Sequence, residues 1–340
     1  MRKGVNSSKE QVIEASNVEH RVIIPLHIPF EEAYYKDAFS IFEMCLNSIL
    51  NTSIYKLKIT VISDGSCDNV NNKLYKLYQN NKINELIIEK DNIGKINAIL
   101  KGLRTVNEQF VTITDADILF LNDWDKSVFE IFSTYKKAAV VSPIPVFRKQ
   151  LSYTANIWLD YLFSKKMKFR AVKNPIALEK FANSLGWPFL RDKYKDVIMT
   201  LKQDNVIAVV SAAHCVATYK TEYLKNIPKT NTIYKLGGNT EGEYLDKPPY
   251  MLDGYRLSTY DNYAYHMGNL KEDWLTDSFN SIKIVNEKTT LPIIEKTSPK
   301  KKPLKLMAMK LLLNSFKTRK VYDFFLKNKG LTKEKLKGFR

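Results

Sequence analysis

The stretch Phe110-Val-Thr-Ile-Thr-Asp-Ala-Asp117 decides the fold, because a run of strand-forming residues is followed in it directly by two carboxylates. Its first five residues are β-branched or aromatic, which predicts a short buried strand. Surface turns often produce a D-x-D pattern, so the pattern alone indicates little. Its position after a strand gives it weight, since the ligands of open α/β sheets bind at the carboxyl ends of the strands.

Strands and helices alternate around this stretch. Further strands are predicted at 21–26, 57–62, 86–88 and 138–142, and helices at 37–50, 68–81, 95–106 and 123–136. Such alternation predicts an α/β fold, a doubly wound, mostly parallel sheet with flanking helices. The polar turns 63–68 and 115–117 then lie at the same sheet edge. Residues 150–205 are helical in composition, and short strands are predicted at 207–210, 215–219 and 255–258.

The positive charge of the chain is concentrated at its end. The formal net charge is +17 over 340 residues, and residues 300–340 carry 14 Lys or Arg against Asp323 and Glu334. That segment therefore holds +12, and the rest of the chain holds the remaining +5. Apolar residues at helical spacing in 304–326 predict a basic amphipathic helical tail. Such a tail favours contact with an anionic membrane surface over a basic catalytic core.

Cysteine usage and hydropathy predict a cytoplasmic protein. Cys45, Cys67 and Cys215 are odd in number and widely spaced, which suits a reducing compartment. The polar N-terminus lacks the apolar core of a secretory signal, and no run of about 18 apolar residues predicts a spanning helix. We expect the protein in the cytoplasm, either free or peripheral on the inner face of the cell membrane.

The two carboxylates of the opening stretch predict a metal site. Mg²⁺ and Mn²⁺ prefer oxygen ligands, and they commonly take one or two carboxylates together with phosphate oxygens of a substrate. Asp115 and Asp117 meet that requirement if the chain turns between them. The residues alone therefore indicate a divalent cation that binds beside a phosphorylated ligand.

Several short motifs follow one another along residues 20–270 in an order that is typical of one enzyme family. They are Val22-Ile-Ile-Pro25, Val61-Ile-Ser-Asp-Gly-Ser66, Asn92-Ile-Gly-Lys-Ile-Asn97, Thr114-Asp-Ala-Asp117, Asp253-Gly-Tyr-Arg-Leu-Ser258 and a closing His266. With these motifs the chain resembles family 2 glycosyltransferases of the GT-A fold. The order and spacing are specific to the superfamily and much less so to the substrate.

The resemblance implies a nucleotide-sugar site. Its residues would be Pro25, Leu26, His27, Asp64, Lys95, Asn97, Asp115 and Ala116. Pro25 to His27 would border the base and ribose. Asp64 would bond the base, with Ser63 in place of the other acid of the family's D-D-G-S pattern. Lys95 and Asn97 would line the diphosphate or ribose, and Asp115 would contact the ribose or a metal-bound water.

The resemblance also implies the metal ligands. Asp117 would bind Mn²⁺ or Mg²⁺ directly, and His266 lies where similar enzymes place a third ligand. A neutral imidazole can complete such a site, although an isolated histidine more often makes a single hydrogen bond. His27 is expected to pack beside the nucleotide, and His214 is treated as an ordinary histidine.

The catalytic base is predicted from a count. Inverting transfer needs a carboxylate that takes the proton of the acceptor hydroxyl. Similar enzymes carry an acidic pair about eleven residues before a Gly-Tyr-Arg step, and counting back from Gly254 gives Glu243. Asp246 and Glu241 are rivals, and a solvated acidic loop is the alternative to all three.

The function predicted is inverting, metal-dependent transfer of a sugar from a nucleotide-diphosphate sugar, with UDP favoured. The acceptor would be a hydroxyl of a glycan or of a lipid-linked molecule, in surface polysaccharide synthesis. A sugar nucleotidyltransferase is the alternative enzyme, but residues 25–29 lack the glycine-rich loop it needs. A non-catalytic basic protein that binds membrane or nucleic acid would leave the acids unexplained, and no nucleic-acid partner is expected.

Four parts of the chain are predicted. Residues 1–20 form a frayed N-terminus, 21–142 the nucleotide-sugar-binding half, 143–275 the acceptor-binding and catalytic half, and 276–340 a basic linker and tail. In the acceptor half, Arg148, Arg170 and Trp187 are more readily explained as surface charges and a core indole than as site residues.

Overall fold

The computed structural model of the chain describes residues 3–12, 18–147, 149–186, 192–336 and 339. Arg148 and Trp187 lie outside the described residues. Most buried side chains belong to a large core on one face of a ten-stranded sheet and a smaller core on the other. The four-part division of the chain stays a prediction.

The described residues form twelve strands. They are β1 His20–Leu26, β2 Lys58–Asp64, β3 Glu85–Glu89, β4 Phe110–Thr114, β5 Ile118–Phe120, β6 Ala138–Ser142, β7 Met167–Ala171, β8 Val197–Gln203, β9 Val206–Val209, β10 Val216–Lys220, β11 Tyr255–Thr259 and β12 Ala264–His266. Ten of them build the main sheet in the order β3-β2-β1-β4-β10-β6-β11-β9-β8-β7, and β5 pairs with β12 in a small second sheet.

The first half of the main sheet is parallel. Strand β1 pairs in parallel with β2 and β4, and β2 pairs in parallel with β3. The predicted α/β fold class is confirmed, and β4 and β6 have the predicted bounds. Strand β10 inserts antiparallel between β4 and β6. Strands β7 and β8 lie in the stretch whose composition suggested helices.

Helices flank the sheet. They are α1 Ala38–Thr52, α2 Asp68–Gln79, α3 Lys95–Leu103, α4 Trp124–Thr134, α5 Ala155–Tyr161, α6 Pro175–Ser184, α7 Asp192–Asp196, α8 Lys247–Met251, α9 Asp273–Asn280, α10 Pro303–Phe316, α11 Arg319–Asn328 and α12 Lys333–Leu336. A π turn, Gly242–Asp246, precedes α8 directly. Among the described helices, none combines the length and apolar composition needed to cross a membrane.

Apolar spacing explains why the helices dock. In α1, Phe42, Leu46 and Ile49 lie four and three residues apart and are completely buried. This spacing places them on one helical face, which packs toward the sheet. Burying each such side chain contributes about 1.5–3 kcal/mol.

The basic tail packs on the rest of the protein. Helix α10 lies against α5, where the rings of Phe316 and Trp158 meet edge to face with centroids 5.3 Å apart. The buried Lys329 donates hydrogen bonds to the carbonyls of Tyr161 at 2.6 Å and Ser164 at 2.8 Å, just beyond the end of α5. The helical tail predicted from composition is therefore present, and its inner face is docked.

Ion pairs add to this docking. Lys305 contacts Asp253 at 2.5 Å and Asp160 at 2.6 Å, and Lys302 contacts Asp253 at 2.9 Å. Burial opposes the charge of both carboxyls, but the hydrogen bonds from these lysines and from Lys137 outweigh it and hold their pKa values below the usual range. Two of the tail lysines are therefore engaged within the protein.

Candidate active site

A pocket opens at the carboxyl ends of the parallel strands. Because β1, β2 and β4 run in the same direction, the residues that end them meet at one sheet edge. The pocket has a volume of about 460 Å³. Its lining comprises Pro25, Leu26, His27, Ile28, Tyr34, Tyr35, Ala38, Ile41, Asp64, Asn92, Lys95, Asp115, Ala116, Asp117, Lys235, Leu236, Gly268 and Asn269.

The structure brings together the three predicted metal-site residues. Asp115 and Asp117 follow β4, and the antiparallel pairing of β5 with β12 carries His266 back to them. The backbone N–H of Met267 donates to the Asp117 carbonyl at 2.8 Å. His266 Nε2 then lies 3.4 Å from Asp117 Oδ2, and one ligand atom from each of the three residues fits within 4.8 Å of the others.

The residues present fit a divalent cation. Asp117 Oδ1 and His266 Nδ1 are buried, and neither has a hydrogen-bond partner among the described residues. Burial, together with the nearby charge of Asp115, raises the pKa of Asp117, while His266 opposes that rise. A buried carboxylate oxygen without a partner is costly unless a cation or donor satisfies it. Two carboxylates and an imidazole are a suitable donor set.

Lys95 links Asp115, in the turn of residues 115–117 (called the acid turn below), to a second carboxylate, that of Glu241. Its Nζ lies 2.6 Å from Asp115 Oδ1 and 3.5 Å from Glu241 Oε1. Burial opposes the charge of Lys95, but the two carboxylates outweigh it and raise the pKa of the ammonium above its ordinary value. The head of α3 therefore presents a permanent positive charge to the pocket, as the predicted diphosphate contact requires.

Asp64 holds the loop that leads to Lys95. Its Oδ1 accepts the N–H of Ile93 at 2.7 Å, and its Oδ2 accepts the N–H of Gly94 at 3.0 Å. Gly94 has φ +94, and a Cβ there would meet the Lys235 backbone at 2.7 Å, so only glycine fits. Asp64 lines the pocket as predicted, but backbone groups of its own chain already engage both carboxylate oxygens.

His27 is fixed between two polar groups. Its Nδ1 donates to the Asp64 carbonyl at 2.6 Å, and its Nε2 accepts from the Asn92 side-chain amide at 3.0 Å. The ring also packs edge-on against Tyr35 with centroids 6.0 Å apart. This histidine therefore forms an ordered part of the pocket wall.

Asn97 is the one predicted nucleotide-sugar residue that does not line the pocket. Its amide nitrogen donates to the carbonyls of Ile93 at 2.7 Å and Thr232 at 2.9 Å, and its oxygen accepts the Thr232 N–H at 2.9 Å. These bonds tie the loop after residue 230 to α3. The structure thus gives Asn97 a loop-holding role in place of the predicted donor contact.

The three candidate acids before Gly254 lie in different surroundings, and the choice of base among them stays a prediction. Glu243 faces solvent and pairs with Lys247 at 2.5 Å, so it does not enter the site. Asp246 is fully buried and pairs with Arg256 at 2.7 Å. Glu241, the other rival, is the acid that reaches Lys95. Glu241 lies 13 residues before Gly254, two positions further back than the predicted count, and the π turn between them holds one residue more than an α-helical turn.

Sequence reasoning missed several pocket residues. Tyr34, Tyr35, Lys235 and Leu236 all line the pocket. The tyrosine pair directly before α1 was a signal that could have been used, because paired aromatics suit a nucleobase. Arg170 lies on β7, away from the pocket lining, and donates to the Thr200 hydroxyl.

Parts of the chain are similar in sequence to known proteins. The model of the family described as Glycosyl transferase family 2 matches residues 34–215. Poly-beta-1,6-N-acetyl-D-glucosamine synthase of Staphylococcus aureus is 30% identical over 130 residues, 38% of this chain and 31% of that protein. The synthase of Staphylococcus epidermidis is 28% identical over the same length. The chain thus spans about a third of the length of the curated relatives it matches.

Solved structures show more distant likenesses. S. aureus TarS has 15% sequence identity and a TM-score of 0.43, with 77% of this chain and 38% of that chain covered. A mannosyltransferase from Pyrobaculum calidifontis, solved with GDP-Man and Mn²⁺, has 16% identity and a TM-score of 0.40. The matched region covers 75% of this chain and 59% of the mannosyltransferase chain.

Proposed function

The chain belongs to glycosyl transferase family 2, and from that premise we propose that it is a metal-dependent, inverting enzyme. Its donor would be a nucleotide-diphosphate sugar, with UDP favoured, and its acceptor a hydroxyl of a glycan or of a lipid-linked molecule. The observation that carries the proposal is the Asp115, Asp117 and His266 cluster beside Lys95, at the mouth of an aromatic-walled pocket.

The metal would be held by Asp117 and His266, with Asp115 turned toward Lys95. The imidazole in this donor set favours Mn²⁺ over the harder Mg²⁺. When bound, the cation supplies positive charge that stabilises the departing nucleoside diphosphate.

The remaining pocket residues would bind the donor. Tyr34, Tyr35 and the segment Pro25 to His27 would border the base and ribose, since rings and apolar groups suit a planar base. Lys95 would contact the diphosphate, because its charge lies beside the acid turn and cannot be lost at neutral pH. Phosphate oxygens of the nucleotide sugar would then share the positive charge of Lys95, which Asp115 and Glu241 neutralise in the ligand-free protein.

Glu241 is the base that this geometry favours. Its carboxylate is largely buried, yet the charge of Lys95 and a backbone hydrogen bond outweigh that burial and keep its pKa below the usual range. In the transfer, Glu241 would take the proton of the acceptor hydroxyl as the hydroxyl oxygen bonds to the anomeric carbon. The bond from that carbon to the diphosphate oxygen breaks on the opposite face, and the nucleoside diphosphate leaves.

The acceptor class is supported by the curated relatives, which are named as synthases of poly-beta-1,6-N-acetyl-D-glucosamine. We therefore propose that the enzyme acts in surface polysaccharide synthesis. Initial rates of sugar release from UDP-N-acetylglucosamine, UDP-glucose, UDP-galactose and GDP-mannose, with and without Mn²⁺, test the proposal. We expect a UDP-sugar to be turned over only with the metal, and Asp117→Ala to abolish that turnover.

A matched acid serves as the control. Asp277 is exposed on α9, away from the pocket, so Asp277→Ala should keep the rate of the unaltered enzyme. Metal-independent turnover, or full activity of Asp117→Ala, would contradict the proposed metal site. Absence of turnover with every nucleotide sugar, together with no binding of UDP, would overturn the function.

The outer face of the tail is proposed as a contact with an anionic membrane surface. On α10, Leu304, Met307 and Leu311 lie at helical spacing and are 80%, 58% and 62% exposed. Lys310 and Lys317 on and just after this helix are also exposed. Shallow burial of the apolar residues and about 1 kcal/mol per lysine near anionic headgroups would hold the enzyme at such a surface.

Vesicle sedimentation tests the tail. The protein should bind vesicles that contain anionic phospholipid and release them at high salt, and neutral vesicles should not retain it. Replacing Leu304, Met307 and Leu311 by Gln should remove this binding without lowering the melting temperature, because all three side chains face solvent. Equal binding of the triple variant would contradict a role for this face.

A further inference from the structure

His214 lies beside the acid turn although its sequence neighbourhood gives no sign of it. Strand β10 runs antiparallel to β4, with Val216 opposite Thr114. One residue further, the Asp115 N–H donates to the Cys215 carbonyl at 2.7 Å. His214, which directly precedes Cys215, therefore lies beside the turn that holds Asp115 and Asp117.

Two buried groups fix the ring of His214. Its Nδ1 lies 3.2 Å from Asp246 Oδ2, and Asp246 Oδ1 lies 2.7 Å from Arg256 Nη2. Arg256 also donates to the carbonyls of Ser152 at 2.8 Å and Ala212 at 3.2 Å. Asp246 and Arg256 are almost completely inaccessible to solvent. Well-packed apolar side chains would serve stability at least as well as a buried ion pair, so an arrangement of this kind indicates a task beyond packing.

The ring leaves its other nitrogen accessible to solvent. Nδ1 is buried, yet 34% of the side chain is exposed, so the open edge is the one that carries Nε2. The contact of Nδ1 with Asp246 is electrostatic, since neither atom has a hydrogen-bond partner among the described residues, and a carboxylate beside Nδ1 favours the tautomer with the hydrogen on Nδ1 and the lone pair on Nε2. Burial, with help from the charge of Arg256, lowers the pKa of His214 to about 4, and the ring is neutral at physiological pH. Glu241 acts on the ring electrostatically and is therefore close to it.

We propose that His214 Nε2 accepts a hydrogen bond from a sugar hydroxyl, with Asp246 and Arg256 as positioning residues. The inference rests on the proposed function in that the neighbouring pocket takes a nucleotide sugar. A neutral imidazole with one lone pair facing outward selects a hydroxyl donor and does not attract a phosphate. The hydroxyl belongs either to the transferred sugar or to the acceptor, and both meet between the metal-site acids and Glu241.

Calorimetry with Mn²⁺ separates the sources. The variants are His214→Phe, which removes the acceptor nitrogen, and His214→Gln, whose amide oxygen can still accept. The ligands are UDP and the UDP-sugar that the unaltered enzyme turns over. We expect UDP affinity to stay within about twofold in both variants. A donor-sugar contact makes UDP-sugar affinity fall about tenfold with Phe and much less with Gln.

An acceptor contact gives a different result. UDP-sugar affinity and hydrolysis then stay constant, and the KM for a poly-N-acetylglucosamine oligosaccharide rises about tenfold with Phe and is rescued by Gln. Either pattern supports the proposal. Unchanged constants in both variants, or equal loss of UDP and UDP-sugar affinity, would overturn it, since a purely structural ring cannot distinguish these ligands.

A substrate-free measurement keeps this inference separate from the proposed function. The chain has 4 histidines, so ¹⁵N spectra of histidine-labelled protein assign His214 by the signal that His214→Gln removes. We expect an unprotonated Nε2 and a protonated Nδ1 at pH 7.5. A protonated Nε2 would overturn the hydroxyl-acceptor role even in an active enzyme. If UDP fails to bind, the proposed function fails, and the tautomer still decides whether His214 can accept.

Discussion

Replacing Asp117 by Asn should make the metal-free protein more stable while it removes metal-dependent ligand binding. Asp117 has a buried oxygen, Oδ1, to which no described residue donates a hydrogen bond, and burial beside Asp115 raises its pKa. A raised pKa means that the folded state binds more protons than the unfolded state between the two values. Stability is therefore lost as pH rises through that window, and the full cost is present at pH 7.5.

The size of this effect follows from the pKa. Each unit of rise costs about 1.4 kcal/mol once the carboxyl is ionised, so removing the charge should stabilise the metal-free protein by about 1–3 kcal/mol. For 340 residues, an unfolding entropy of about 2.1 cal/mol/K per residue gives about 0.7 kcal/mol/K. The melting temperature of Asp117→Asn without metal should accordingly rise by about 1–4 °C.

Ligand binding should change in the opposite direction. UDP with Mn²⁺ at about a hundred times its Kd stabilises the native state by about 2.7 kcal/mol, which corresponds to about 4 °C in this chain. Asp117→Asn should lose most of that shift, because the amide is a weaker metal ligand than the carboxylate. Thermal unfolding with EDTA, Mn²⁺, UDP and both ligands together measures the two effects in one experiment.

Asp115→Asn is the matched control. Asp115 pairs with Lys95 at 2.6 Å, so removing its charge leaves a buried ammonium with one partner fewer. This variant should melt below the unaltered protein in EDTA, although it lies only two residues from Asp117. A lower melting temperature of metal-free Asp117→Asn, or an unchanged shift with Mn²⁺ and UDP, would refute the reasoning.

Three further outcomes are expected. Glu241→Gln should lower kcat by about 10²–10⁴, the usual contribution of a general base, while the solvent-facing Glu243→Gln stays within about twofold; equal rates of the two would contradict the assignment. Burial lowers the pKa of His20 to about 3, so the unfolded state binds its proton first as pH falls below 6.5. That costs about 1.4 kcal/mol per pH unit until the folded value is reached, and His20→Gln should flatten urea-unfolding stability between pH 6.5 and 4 relative to the unaltered protein. Lys329→Met should cost about 1–3 kcal/mol, because two partly buried carbonyls lose their charged donor. Lys327→Met, exposed near the end of α11, is its control, and equal urea midpoints would count against the Lys329 contact.

The parallel part of the fold was predictable because its signals are local. Buried runs such as Phe110–Thr114 and Ala138–Ser142 alternate with helices whose apolar residues keep one face. Parallel pairing then brings Asp64 and Asp115 to one edge without further information. The β7 and β8 strands were missed because Lys and aromatic residues in that segment satisfy both helical and strand patterns, and only the neighbouring strand decides between them.

The candidate site was predictable where a strand end fixes a residue. Asp117 directly precedes β5, and His266 is the last residue of β12. The two residues meet because these strands pair. Asn97 and Glu243 were placed by spacing within a motif, and spacing does not report which way a side chain turns. His214 gave no signal at all, since its environment comes from Asp246 and Arg256, more than thirty residues away in the chain.

The π turn at Gly242–Asp246 has a consequence for how such enzymes diverge. An extra residue in one turn rotates every side chain before it relative to those after it, while the strand that follows keeps its place in the sheet. Inserting or deleting one residue in this turn would therefore change which side chain faces Lys95 while the sheet stays in place. In alignments, the column that carries the base would then shift by a position between relatives whose sheets superpose.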